Sequence, residues 1–335
     1  MDLRTSINQT VWQPDFKGGH VESYFLKLND PGQSKALWLK FTLYCPKGKP
    51  AATVAEVWGI AFDAAHPEQT TAFKETYPVS QVTLARGDFT LRFGASSLEA
   101  GRTQGRLKGA GGELAWNLTF TDGEEPVVPF PLDWMYTRKV PKSKTKTPYP
   151  ASRFSGTYTL NGETITVNAV PGMQGHNWGS EHSHLYAWSH CSAFDAHGDD
   201  TFFEGFSSRV KIGPVVTPHL SMAVLQLRGK RYVFNDWKAI RSPDIRVQDN
   251  QWDFHLLGAQ HSLRGSISAP KNQFIALKYY NPDGKLSYCL NSKVAGGFVE
   301  LLDSRGVIVE RLTSRQTIAL EVLVKHEKHG VRIGV

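Results

Sequence analysis

Residues 36–45 read ALWLKFTLYC, and how these ten residues are read decides the fold. Leu37, Leu39, Phe41, Leu43 and Cys45 share one face while Trp38, Lys40, Thr42 and Tyr44 take the other, a period of two that suits a half-buried strand and not a helix. The same alternation recurs in GDFTLRF, GELAWNLTF, TYTLNGETITV, HLYAWSHCSAF, TFFEGFSSRV, MAVLQLRG, QWDFHLLGA and LSYCLNSKVAGGFVELLD. Turn chemistry separates these runs. Asn161-Gly162 predicts a type I′ hairpin because both residues tolerate positive φ, and Arg86-Gly87-Asp88, Arg228-Gly229-Lys230 and Pro282-Asp283-Gly284 are similar punctuation. Only SRQTIALEVLVKH offers a helical alternative, which its β-branched content leaves open. The chain is therefore expected to be all-β, antiparallel, with little helix.

A chain of 335 residues is long enough for two cores, and 40% hydrophobic with 21% charged residues is a folded, non-disordered composition. Strands restart after TRKVPKSKTKTPYP, so residues 1–140 and 151–335 are expected as two β-barrel domains and 141–150 as a Pro/Lys-rich linker or loop. Closing a sheet into a barrel removes its edges, and eight to ten strands leave room for one small ligand. Part of the net charge of +7 is local, in Arg138, Lys139, Lys142, Lys144 and Lys146. A solvated basic loop explains it. No nucleic-acid motif accompanies it, and peripheral contact with an anionic membrane is the alternative. Cys45, Cys191 and Cys289 are odd in number and widely spaced, which points to reduced thiols in a cytoplasm rather than disulfides or a cysteine zinc site. Neither a signal peptide nor a membrane-length apolar run is seen. Nothing in the sequence fixes an oligomeric state.

Chemistry concentrates in residues 172–195, GMQGHNWGSEHSHLYAWSHCSAFD. As a strand, 184–195 would carry His184, Tyr186, Trp188, His190, Ser192 and Phe194 on a bulky face, opposite the small Ala187, Ser189, Cys191 and Ala193. If Asp195 pairs with Thr201, then Phe202, Glu204 and Phe206 stand beside Phe194, Ser192 and His190. A carboxylate among aromatic and imidazole rings is a candidate proton donor, because desolvation raises a carboxyl pKa, and nearby tryptophans would stabilise a cationic intermediate. The plainer reading is core packing, with Glu204 paired to Arg209. A metal reading would join His182 and His184 to His176 or His190, but no zinc motif or carboxylate at ligand spacing supports it, and no metal is expected. Cys191 and Ser192 lack a nucleophile-elbow context, so a buried inert thiol is expected.

The run Gln174-Gly175-His176-Asn177-Trp178-Gly179, followed by Trp188, resembles the G-x-x-x-H-x-W-G segment of the tocopherol cyclase and carotenoid 1,2-hydratase group of lipocalin-like, AttH-type proteins. Glu22–Pro31 and Ala36–Gly48 look like that group's N-terminal strands. The resemblance implies two tandem lipocalin-like antiparallel barrels around a hydrophobic ligand cavity. It also implies cyclase, isomerase or hydratase chemistry on a polyene, isoprenoid or prenylated compound, without a cofactor. His176, Asn177, Trp178 and Trp188 match the motif, whereas Gly175 departs from the acidic residue that precedes the histidine in hydratase-like members. His176, His190 and Glu204 are accordingly the candidate proton-transfer residues. Asn177, Trp178, His184, Tyr186, Trp188, Phe206, Tyr288 and Asn291 are the candidate ligand contacts. A non-catalytic lipid or pigment carrier remains the alternative.

Overall fold

The computed structural model describes residues 2–335 apart from 86, 122 and 199. The first sheet contains β1 (His20–Asp30), β2 (Lys35–Cys45), β3 (Val54–Asp63), β4 (Thr71–Pro78), β5 (Val82–Ala85), β6 (Thr90–Phe93), β7 (Ser96–Glu99), β8 (Arg102–Gly109), β9 (Gly112–Phe120), β10 (Ser143–Leu160) and β11 (Glu163–Gly179). The second contains β12 (Leu185–Cys191) and β13 (Phe202–Arg209) and, beyond the small ribbon of β14 (Lys211–Ile212) and β15 (Val215–Val216), continues with β16 (Leu220–Leu227), β17 (Lys230–Phe234), β18 (Asp244–Gln248), β19 (Gln251–Leu257), β20 (His261–Ser268), β21 (Ile275–Tyr280), β22 (Leu286–Asp303) and β23 (Ile308–Val324). Every ladder between named strands is antiparallel, and the α-helices are single turns, α1 (Leu3–Ile7), α2 (Trp134–Thr137) and α3 (Trp237–Ile240). No helix among the described residues is long and apolar enough to cross a membrane.

The two sheets repeat one topology. The first runs β4-β3-β2-β1-β11-β10-β9-β8-β7-β6-β5, and the second β17-β16-β13-β12-β23-β22-β20-β19-β18, so in each the opening strand is laddered to the closing one. The first sheet curls into a near-closed barrel, where β4 meets β8 and Lys108 N donates to Glu75 Oε1 at 2.8 Å. The end strands β17 and β18 of the second share no ladder among the described residues. Each sheet has its own packed concave face. Tyr24, Leu26, Phe41, Phe93 and Phe154 are fully or almost fully buried in the first, and Phe203, Trp252, Leu256, Leu290 and Leu320 in the second. At about 1.5–3 kcal/mol per fully buried large apolar side chain, these interiors supply most of the driving force.

One sequence expectation is corrected and one left open is decided. Residues 141–150 are not a linker: Ser143 onward is β10, which ladders with β9 and β11, and the chain passes between sheets in 180–184. Proline and lysine misled because Thr147 and Pro150 are buried against Glu204 and His190 of the second sheet while Tyr149 packs in the first sheet's interior. SRQTIALEVLVKH is strand, not helix, since Thr317, Ile318, Val322 and Val324 lie in β23, whose β-branched side chains fit a pleated surface. The Asn161-Gly162 turn is as expected, with φ of 51° and 89° between Leu160 and Glu163.

The sheets pack through their outer faces. Phe25 and Met173 of the first meet Trp188 and Ala319 of the second, and Trp38, Trp58 and Ile60 meet Leu277, Tyr279 and Leu323. That interface also buries polar groups: Lys27 Nζ donates to Asn29 Oδ1 at 2.8 Å, and Asn29 Nδ2 to Lys293 O at 2.6 Å.

Candidate functional site

A cleft of about 690 Å³ opens between the two sheets, a size suited to one small organic molecule. It lies between the sheets rather than within one, which corrects the expectation of a hollow inside a barrel. Strand parity explains the location. Ala187 and Cys191 of β12 point into the second sheet's interior, leaving Tyr186, Trp188 and His190 on the opposite face, toward the first sheet. Phe25, Trp38, Trp188 and Phe206 are among its aromatic walls, and Lys40, Tyr186 and Glu321 its buried or part-buried polar groups. Of the candidate ligand contacts, Asn177, Trp178, His184, Tyr186, Trp188 and Phe206 lie on the cleft wall. Tyr288 does not: it is packed in the second sheet's interior, with its hydroxyl donating to Glu327 Oε1 at 2.7 Å. Asn291 stands behind the wall, donating to Glu321 Oε1 at 3.3 Å.

The β12–β13 register differs from the expected one by two residues. Glu204 ladders with His190 and Phe206 with Trp188, rather than with Ser192 and His190, because the chain leaves the ladder after Cys191 and Phe194 turns into the second sheet's core. A two-residue slip preserves the face, so Glu204 still sits among rings. Its Oε1 accepts from Thr147 Oγ1 at 2.8 Å and Trp188 Nε1 at 3.1 Å, not from Arg209. Burial dominates these two hydrogen bonds and pushes the Glu204 carboxyl up to about 7. Trp188 thus presents its ring to the cleft and its N–H to a carboxyl behind it.

His190 Nε2 lies 2.6 Å from Pro150 O, and since a carbonyl only accepts, Nε2 carries the proton. Burial, with the charges of Lys27 and Lys293, holds this imidazole neutral, its pKa well below the usual histidine value. Pro150 and Thr147 belong to β10, so both contacts tie one sheet to the other.

His176 lies on the other side of the first sheet, inside the near-closed barrel. Its ring stacks on Tyr24 at 4.2 Å between centroids, with Nδ1 2.8 Å from Ile7 O and Nε2 2.9 Å from Glu22 Oε1. A carbonyl and a carboxylate both accept, so each ring nitrogen of His176 faces an acceptor. Glu22 also accepts from Trp12 N at 2.7 Å, and from Val11 N, His20 Nε2 and Tyr24 Oη at 2.9 Å each. This cluster pins residues 7–12 across the barrel end. The sheet therefore separates His176 from His190 and Glu204, and none of the three candidate proton-transfer residues is on the cleft wall.

The histidines considered as metal ligands face different neighbours. His182 stacks on Tyr279 at 5.1 Å, His184 Nδ1 accepts from Lys325 Nζ at 2.6 Å, and His176 and His190 are engaged as above. Among the described residues no set of three or more metal-ligating side chains converges. Cys191 is buried, its thiol 3.7 Å from Thr317 Oγ1, with burial raising its pKa. Sequence reasoning missed Lys40, Lys293 and Glu321. Lys293 is fully buried and donates to Asn291 Oδ1 and Glu321 Oε1, each at 2.7 Å, while Tyr186 Oη lies 3.4 Å from Glu321 Oε2. A charged residue inside a strand ordinarily marks the solvent face. The available signal was Lys40 sharing a face with Trp38 in ALWLKFTLYC.

No family model matches the chain. It is 24% identical over 310 residues to an uncharacterized protein found in two strains of Mycobacterium tuberculosis, an alignment covering 86% of this chain and 84% of that one. Three solved structures share its fold. They are CghA with Sch210972 (TM-score 0.59, 13% identity, 92% of this chain and 89% of that one), a candidate AttH from Nitrosomonas europaea (0.55, 13%, 95% and 97%), and kievitone hydratase from Nectria haematococca (0.54, 9%, 96% and 91%). At the level of fold, the likeness to AttH-type proteins expected from residues 174–179 and Trp188 is met.

Proposed function

We propose that the chain binds a hydrophobic small molecule, an isoprenoid, polyene or prenylated compound, between its two sheets and carries out redox-neutral acid-base chemistry on it, as a cyclase, isomerase or hydratase. The observation that carries this reading is the aromatic cleft whose wall residue Trp188 is hydrogen-bonded to Glu204, a carboxyl that burial poises at about 7. A general acid is most effective near the operating pH. The fold shared with kievitone hydratase and with CghA, solved with a small molecule, supports the same class. On the wall itself, Glu321 with Tyr186 is the pair placed to exchange a proton with the substrate. Glu204 fixes the Trp188 ring and supplies a proton only if that ring shifts. Tryptophan faces would stabilise developing positive charge.

The carrier reading rests on a specific observation too, that His176, His190 and Glu204 all lie off the cleft wall. Turnover separates the two. Native mass spectrometry of co-purifying small molecules identifies the ligand, and incubation in deuterated water then tests for exchange. Deuterium entering the ligand, abolished in Glu321→Gln, supports the enzyme. An unchanged ligand after long incubation leaves a carrier, and an empty cleft that takes up no polyene removes both.

A further inference from the structure

Resting on that binding reading, we propose that the cleft's ligand ends in a carboxylate and that Lys40 Nζ receives it. Lys40 lies on the cleft wall yet is only 4% exposed, unlike rim lysines such as Lys142 and Lys285, whose side chains are 48% and 77% exposed. The rim pair Lys142 and Lys285 are already joined to Glu181 and Asp283. Lys144, also buried on the wall, donates to Pro141 O at 2.6 Å. Lys40 has neither a hydrogen-bond acceptor nor an ion-pair partner among the described residues. Its ammonium rests 3.9 Å above the Tyr279 ring.

An ammonium has three hydrogens to donate, and a buried one without an acceptor is costly. The nearby anions are committed elsewhere: Glu56 holds Lys74 at 2.6 Å, and Glu321 holds Lys293 at 2.7 Å. The face of Tyr279 favours the cation but accepts no conventional hydrogen bond. Lys40 lines the cleft as well as a small pocket of about 50 Å³ beside Glu56 and Lys74, and only the cleft has room for an organic anion, whose oxygen gains a charge-assisted bond in a desolvated setting. One buried cation matches the single charge of a carboxylate, where a phosphate monoester would bring close to two. The exposed rim lysines Lys47, Lys211 and Lys325 would attract such a ligand without fixing its orientation.

The test uses the full chain loaded with Nile red, a neutral reporter, and compares displacement by hexadecanoic acid and by hexadecan-1-ol, which differ only at the polar end. The acid is expected to displace the dye at about tenfold lower concentration, the gain of one charge-assisted hydrogen bond. That preference should persist at high salt, be retained in Lys40→Arg and fall to parity in Lys40→Met. In the wild type it should also decline as pH rises through about 8, where burial has lowered the Lys40 ammonium. The groups facing Lys40 do not mimic this loss: Cys289 is pushed up to about 12, His182 down to about 3 and Tyr279 well above the usual tyrosine value, while Glu56, Lys74 and Glu321 are held in the ion pairs named above. Parity in the wild type, a preference screened away by salt, or one surviving in Lys40→Met overturns the proposal while the alcohol still reports a working cleft. Failure of both compounds to displace the dye removes the binding reading itself.

Discussion

At the scale of single residues, two buried carboxyls respond to pH in opposite senses. For Glu22, burial alone would raise the pKa, but the hydrogen bonds and charges of His176 and His20 prevail and hold it far below the usual carboxylate range. The stability it contributes is present above the unfolded value of about 4.3 and is lost as pH falls below that. Glu22→Gln should cost about 3–5 kcal/mol near neutral pH, since it removes the buried carboxylate that His176, His20, Tyr24 and two backbone N–H groups share, and should flatten the acid side of a stability-against-pH curve measured by urea unfolding. Glu204 behaves in reverse. Its pKa of about 7 means that the folded state keeps a proton the unfolded chain releases, so stability declines by about 3 kcal/mol between pH ~4.3 and 7 and is level above. Glu204→Gln keeps an acceptor for Thr147 and Trp188 and is expected to remove that decline. At this scale the sequence exposed the aromatic and carboxyl residues of 176–206 but not their partners. Glu22 and Thr147 carried no such signal, because each meets its partner on a strand distant in the chain.

At the scale of elements, alternation was legible wherever one face of a strand meets a core, which is why ALWLKFTLYC, and HLYAWSHCSAF as far as Cys191, were divided correctly into faces, while Phe194 beyond the strand end was not. Register was not legible, because the ladder already ends at Cys191, paired with Phe203, and residues 192–194 lie outside it. Nor was β10, whose prolines and lysines imitate a linker. The long hairpins β10–β11 and β22–β23 are each bent by register shifts at glycines, Gly156 with φ 129° and Gly297 with φ 147°. A Cβ at Gly297 would stand 2.1 Å from Ser266 O, and one at Gly156 2.2 Å from Asn117 O, both backbone atoms that cannot swing aside. Gly297→Ala should therefore destabilise the fold by about 1–3 kcal/mol or more, read from the urea midpoint, with Gly156→Ala alike. Gly284→Ala, whose Cβ meets nothing within 4 Å, isolates the smaller cost of its positive φ.

At the scale of the whole molecule, the sheets are joined by faces that neither could leave in water. Phe25, Met173 and Trp188 would be bared together with Lys27 and Lys293, whose stems and polar partners come from both sheets. Segments cut between Gly179 and Leu185 should be poorly soluble when expressed singly, and co-expression should restore a soluble 1:1 pair seen by size exclusion. Two soluble, monomeric halves would contradict the packing described. Two tandem β-units and a hydrophobic cavity were expected from the sequence, but the position of the cleft between the sheets was not. Lys27, Lys40 and Lys293 alternate along their strands as solvent-facing residues do, and only the second sheet turns that outer surface into an interior.

Because Val21 is laddered to Gly179, β1 completes its second ladder only when β11, the last strand of its sheet, is available. Loop closure over so long a stretch is slow. The edge of β1 that faces β11 is therefore expected to stay unpaired during refolding until the segment through Gly179 docks.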